Sequence, residues 1–266
     1  VRTRQVLFCG TPCQIAAVNH FVGHTNNLFT VDIVCHGVGA PRIFHQYLDY
    51  LAEQHHAKVK EFRFRNKLNS WRYPSVSAEF DNDQKYFRSG LIDPMFVGFN
   101  KDIFQRESCF QCKYTNLDRP SDITISDFWG YESLTADDLD DDYGISMLMV
   151  NTEQGEMLFT EAKDRMVVHE RGLKQAMNGQ PCLDHPTAKS PRRDEFMAEL
   201  DERFDVLAEK YFQPRYEFSS YYYYRANHTR DKSRQMKSAF RVIDGIARRL
   251  HVQKAVIHYI ERKKQK

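Results

Sequence analysis

No stretch of this chain reaches the roughly 18 consecutive apolar residues that a membrane-crossing helix needs. Its opening residues lack the charged, apolar and small-residue succession of an export signal, and neither a repeat nor a low-complexity tract follows. Cysteine is scarce: six in 266 residues are too few for a disulfide scaffold. The expected compartment is therefore the reducing cytoplasm, where thiols act as ligands, redox groups or core residues. No GxGxxG turn marks a dinucleotide site and no HExxH helix marks a zinc hydrolase. The acidic run at 137–142 lacks the glycine and terminal glutamate of an EF-hand, and reads as a solvated loop. His20, His24, His55 and His56 form no paired-ligand pattern either, and are expected on solvated surfaces.

What is present suits a globular protein. The chain is 41% hydrophobic and 28% charged, enough for one large core or two modest ones. Net charge is only +2, but residues 225–266 carry 13 Lys and Arg against 3 Asp and Glu, so the tail is basic and the body acidic. Apolar residues Phe240, Ile243, Ile246, Leu250 and Ile260 fall mostly at helical spacing in that tail. It reads as a terminal helix packed on the acidic body, with docking on anionic lipid as the alternative. The first residue is Val1, and a core strand begins within a few residues, as expected for a piece of a longer protein.

Residues 5–9 (QVLFC) read as a buried strand, with Cys9 facing the core. They lead into Gly10-Thr11-Pro12 and a helix that Thr11 caps and Pro12 opens. Residues 28–35 form a second strand, and a helix follows from Pro41 to His55 with Ile43, Tyr47 and Leu51 on one face. Two strand–turn–helix units in succession predict a parallel sheet, with ligands at the carboxyl ends of its strands. Residues 58–66 and 75–88 alternate as antiparallel strands do, the latter turning at Asp81-Asn82-Asp83. Further strands are expected at 123–125, 145–150 and 166–169, and a helix at 153–165. The fold class is α/β: a mixed sheet with strand–turn–helix units, then a mostly helical C-terminal region. The domains are set at 1–170 and 171–266.

Chemistry concentrates at residues 108–130, SCFQCKYTNLDRPSDITISDFWG. A lone Cys-x-x-Cys leaves a cluster, zinc, a redox dithiol and chance open. Cys109 and Cys112 are joined, however, by Cys13 and Cys35, each at the end of a strand. Four thiolates from three turns can enclose a [4Fe-4S] cluster or a zinc ion. Zinc sites usually bring ligands as two close pairs, and only one close pair exists here, which leans the spacing toward a cluster. Arg65, Lys67, Trp71 and Arg72 combine cations with a ring, fit to hold a phosphate and a flat heterocycle or merely to line an exposed loop. Asp127-Phe128-Trp129 suits a flavin pocket or an ordinary core edge.

Together, Gly10-Thr11-Pro12-Cys13-Gln14, Val34-Cys35-His36-Gly37-Val38, Phe64-Arg65-Asn66-Lys67, Cys109-Phe110-Gln111-Cys112 and Arg119-Pro120-Ser121-Asp122-Ile123-Thr124 through Asp127-Phe128-Trp129-Gly130 resemble the coenzyme F420 hydrogenase/dehydrogenase beta-subunit family. The resemblance runs over about residues 5–170. It implies an iron–sulfur flavoprotein that passes electrons between a [4Fe-4S] cluster and FAD, and on to F420 or another acceptor linked to polysaccharide biosynthesis. It assigns the cluster to Cys13, Cys35, Cys109 and Cys112, leaves Cys9 out, and implies cofactor contacts at Thr11, Gln14, His36, Arg65, Lys67, Asp127 and Trp129. The implied partners are a ferredoxin-like electron donor or acceptor and polysaccharide-biosynthesis enzymes, without nucleic acid. Ser126 stands where relatives often carry Gly, and Tyr143 where they often carry Lys. Members also usually carry an upstream half with clustered cysteines. The reading from another class is a zinc-stabilised scaffold that binds a glycan-assembly partner.

Overall fold

A computed structural model describes residues 4–23, 25–67, 71, 74–131 and 144–214. The acidic run at 137–142, Tyr143, Arg72 and the basic tail lie outside the described residues. The fold is mixed α/β with two sheets, and contacts divide the chain into two units. Among the described residues, the first joins those up to 38 to those of 106–188, and the second comprises those of 39–105 and 189–214.

The first unit is built on a four-stranded sheet. Strand β1 (Val6–Gly10) leads through Thr11 into helix α1 (Pro12–Val22), and β2 (Leu28–Ile33) returns parallel beside β1. Proline opens α1, where its missing N–H costs nothing, and the Gln14 side chain accepts the Thr11 N–H at 2.9 Å. After the second unit's inserted residues, β6 (Ile123–Asp127) pairs parallel with β2, and β7 (Ser146–Val150) closes the far edge antiparallel. Asp122 pins this register. One carboxylate oxygen accepts the Thr30 N–H and hydroxyl, both at 2.7 Å, and the other accepts the Thr152 hydroxyl at 2.6 Å. Thr152 in turn caps helix α4 (Glu153–Ala162). Gly155 lets that helix approach closely: a Cβ there would come within 2.2 Å of the Asp122 carbonyl oxygen.

The two faces of this sheet differ. Gly10 directs its missing side chain at Gln14 of α1, so its face carries Val6, Phe8 and the buried Leu28, Thr30 and Asp32. The opposite face carries Leu7, Ile33 and Ile125, all exposed. Cys9 lies there too and is exposed, which corrects the core position expected of it. Strand alternation decides the point once Gly10 is known to face α1. Met166–His169 is likewise no strand: it follows the 3-10 turn Lys163–Arg165 as an extended segment without a ladder partner among the described residues. Helix α5 (Leu173–Met177) packs near Met147, Phe128 and Leu183.

In the second unit, helix α2 (Pro41–His55) buries Ile43, Tyr47 and Leu51, four residues apart. Strands β3 (Val59–Asn66), β4 (Ser75–Phe80) and β5 (Lys85–Ser89) form an antiparallel meander, with Asp83 at φ 64° in the expected hairpin turn. Helices α3 (Pro94–Asn100), α6 (Arg193–Ala198) and α7 (Phe204–Tyr211) contribute to an aromatic-rich core around Tyr47, Phe104, Phe196 and Phe212. No helix among the described residues is long and apolar enough to cross a membrane.

One buried polar centre sits in that core. Asp93 caps α3 by accepting the Phe96 N–H, and accepts the hydroxyls of Tyr47 at 2.6 Å and Tyr86 at 2.7 Å. Burial raises the pKa of both tyrosines and of Asp93. Tyr47→Phe removes one of these bonds without opening a cavity, and should lower stability by about 1–2 kcal/mol. The urea midpoint reads this directly; an unchanged midpoint would show that the bond contributes nothing.

Candidate functional site

Each of the four candidate ligands sits where a regular element ends, and all four belong to the first unit. Cys13 follows Pro12 in the first turn of α1 and is exposed. Cys35 stands two residues past β2 and is half-buried. Its approach is fixed because the Val34 N–H donates to the Ile125 carbonyl at 3.1 Å, which carries the β2–β6 pairing beyond the strand end. Cys109 ends the 3-10 turn Glu107–Cys109, and Cys112 follows three residues later; both are half-buried.

Two contacts tie the Cys35 loop to the Cys109 turn. The Arg106 N–H donates to the Val38 carbonyl at 2.8 Å, and the Val38 N–H reaches the Cys109 Sγ at 3.4 Å. Gly37 adopts φ 139°, a region that side chains disfavour, and its N–H turns back onto the Cys35 sulfur. The Thr11 hydroxyl lies 3.2 Å from the Cys13 Sγ.

Burial pushes the Cys35 thiol up to about 11, the Gly37 N–H opposes this, and Cys109, Cys13 and Cys112 each push it further up. All three other thiols therefore act on Cys35. Yet among the described residues no three His, Cys, Asp or Glu side chains come close enough to hold a single metal ion. The two observations are compatible, because Coulomb interaction reaches further than coordination. A tetrahedral zinc with bonds of about 2.3 Å would draw its sulfurs to about 3.8 Å apart, whereas a cubane cluster spreads its thiolates to about 6–7 Å. The four thiols and the N–H groups aimed at the Cys35 and Cys109 sulfurs supply the donor chemistry that either centre requires.

The remaining candidates divide between the units. Thr11 and Gln14 hydrogen-bond one another at the start of α1, the Thr11 hydroxyl donating to Gln14 Oε1 at 3.0 Å. The His36 carbonyl accepts the Thr187 hydroxyl at 2.7 Å. Asp127 is half-buried at the end of β6, its carbonyl accepting from Gln180 at 2.5 Å, and Trp129 is 37% exposed beyond it. Arg65 and Lys67 belong to the second unit, at the end of β3 and just past it. Trp71, paired with them as a stacking ring, is instead only 1% exposed, so its faces are spent on packing. One residue escaped selection from the sequence: Arg119, whose side chain is 1% exposed and ion-paired to Asp32 at 2.7 Å. The signal was an aspartate inside the second strand of a parallel sheet, where a buried carboxylate requires a partner.

Residues 3–176, well over half of the chain, match the family model for the C-terminal part of the coenzyme F420 hydrogenase/dehydrogenase beta subunit. The chain belongs to this family. No curated protein matches the chain. This beta-subunit family is one of oxidoreductase subunits, which supports an oxidoreductase-type role at that coarse level.

Gly37 offers a test of how that region is held. Gly37→Ala places a Cβ at φ 139°, a strain of about 1–3 kcal/mol, and should release the loop around Cys35. Alkylation of Cys35 by iodoacetamide, followed by peptide mass spectrometry, should then run faster than in the parent. An unchanged rate would mean that the left-handed turn does not shield the thiol.

Proposed function

We propose that Cys13, Cys35, Cys109 and Cys112 hold one [4Fe-4S] cluster and that this beta-subunit relative exchanges electrons between it and FAD. The observation that carries this reading is the half-buried Cys35 on which the other three thiols act together. When bound, the cluster would supply a one-electron carrier and the flavin a two-to-one electron converter.

The chain's own contribution is position and field. The Gly37 N–H, aimed at the Cys35 sulfur, favours thiolate charge there, and the Val38 N–H reaches the Cys109 sulfur. Half-burial of three thiols limits water, while exposed Cys13 gives the set a solvent-facing corner where an electron partner can approach. In this reading Thr11, Gln14, His36, Asp127 and Trp129, all of the first unit, border the flavin. The partner is a ferredoxin-like protein or domain, and the terminal acceptor is F420 or a substrate of polysaccharide biosynthesis. Cytoplasmic location belongs to the same proposal.

Anaerobic purification with iron and sulfide analysis tests the ligand set. The parent should bind about four irons and absorb at about 400 nm. Cys109→Ser should lose most of that iron, whereas Cys9→Ser, altered inside β1 rather than at a turn, should keep it. Equal loss from both would overturn the assignment.

A further inference from the structure

The loop between Cys112 and β6 has little regular structure, so something else must fix where it holds Cys112. The Arg119 guanidinium is at its centre, and all five of its N–H groups are engaged. Nη1 donates to the carbonyls of Tyr114 at 2.8 Å and Asn116 at 3.4 Å. Nη2 donates to Asp32 Oδ2 at 2.7 Å and to the Ile33 carbonyl at 3.1 Å. Nε donates to the Thr124 hydroxyl at 3.2 Å. One planar group thus joins the loop after Cys112, the end of the strand that delivers Cys35, and β6.

The loop itself is tied back to the ligand. The Thr115 hydroxyl donates to the Cys112 carbonyl at 3.1 Å, and the Asn116 side chain donates to the Lys113 carbonyl at 2.8 Å. A displacement of Tyr114 or Asn116 would therefore move Cys112. On the other side, Asp32 precedes Cys35 by three residues in a strand whose register Asp122 pins. Its carboxylate is fully buried, and Oδ1 has no hydrogen-bond partner among the described residues.

Stability alone explains this arrangement poorly. A buried ion pair commonly contributes no more than an apolar pair of the same volume, because desolvation offsets the attraction. Its distinctive property is direction. The guanidinium fork holds five acceptors in one plane, which a lysine ammonium on the same stem cannot do. We infer that Arg119 is a positioning residue: it sets the Cys109–Cys112 loop against Cys35 and so holds the four thiols at cluster spacing. The inference rests on the cluster reading above.

The test uses the full chain, reconstituted anaerobically with ferrous iron and sulfide. Iron release to a chelator is timed, and the urea midpoint is measured alongside. Arg119→Lys keeps a cation beside Asp32 but gives up the loop carbonyls. Asn151→Ala is the control, because Asn151 donates to the Ser121 carbonyl and the Thr124 hydroxyl, both at 3.0 Å, without touching residues 113–118. Arg119→Lys should release iron about tenfold faster or more, as loss of an outer partner does at other metal sites. Asn151→Ala should release it at close to the parent rate, even at a matched loss of stability. Parent-like retention by Arg119→Lys, or equal release from both variants, overturns the inference. A parent that takes up no iron overturns the cluster reading instead. The positioning claim is then decided on the metal-free chain by amide exchange over 113–118, which Arg119→Lys must accelerate; unchanged exchange overturns it.

Discussion

The parallel pairing of β2 with β6 is the constraint on which the candidate site depends. Val31 lies beside Ile123 and Ile33 beside Ile125, so two segments far apart in sequence end together. Cys35 follows the carboxyl end of β2, the chain from Cys112 reaches the amino end of β6, and Arg119 between them bonds back to Asp32 and Ile33. The pairing places charged groups in the sheet interior, and each has a partner. Asp122 accepts from both groups of Thr30, and Asp32 accepts from Arg119. Without those partners the buried carboxylates would be costly.

The site is assembled more by backbone than by side chains. N–H groups of Gly37 and Val38 point at sulfur, and the Arg106 N–H holds the facing loop. Such donors are fixed by φ and ψ, and so cannot be lost through rotamer exchange. The result is a half-buried Cys35 on which Cys13, Cys109 and Cys112 all act. Membership in a family of oxidoreductase subunits gives that geometry a chemical context.

Local signals made much of the fold legible. Thr11-Pro12 marks the start of α1, Pro41 and His55 bound α2, and the Asp81–Asp83 turn marks the hairpin. Less legible was anything that depends on distant segments. Cys9 reads as core until one knows which strand face α1 covers. Met166-Val167-Val168 has strand-forming residues, but among the described residues no strand lies beside it to pair with. Arg119 looked like one letter of a motif because its five acceptors are spread over Asp32, Ile33, Tyr114, Asn116 and Thr124. The four thiols could be nominated singly from their turns, but their convergence on Cys35 is a property of the folded chain alone.

Electron paramagnetic resonance of the anaerobically purified chain, reduced with dithionite, tests the central claim most directly. The account predicts a fast-relaxing, low-temperature signal of a reduced [4Fe-4S] cluster, absent before reduction and absent from a variant with all four cysteines replaced. A colourless, signal-free protein carrying one zinc per chain would contradict it.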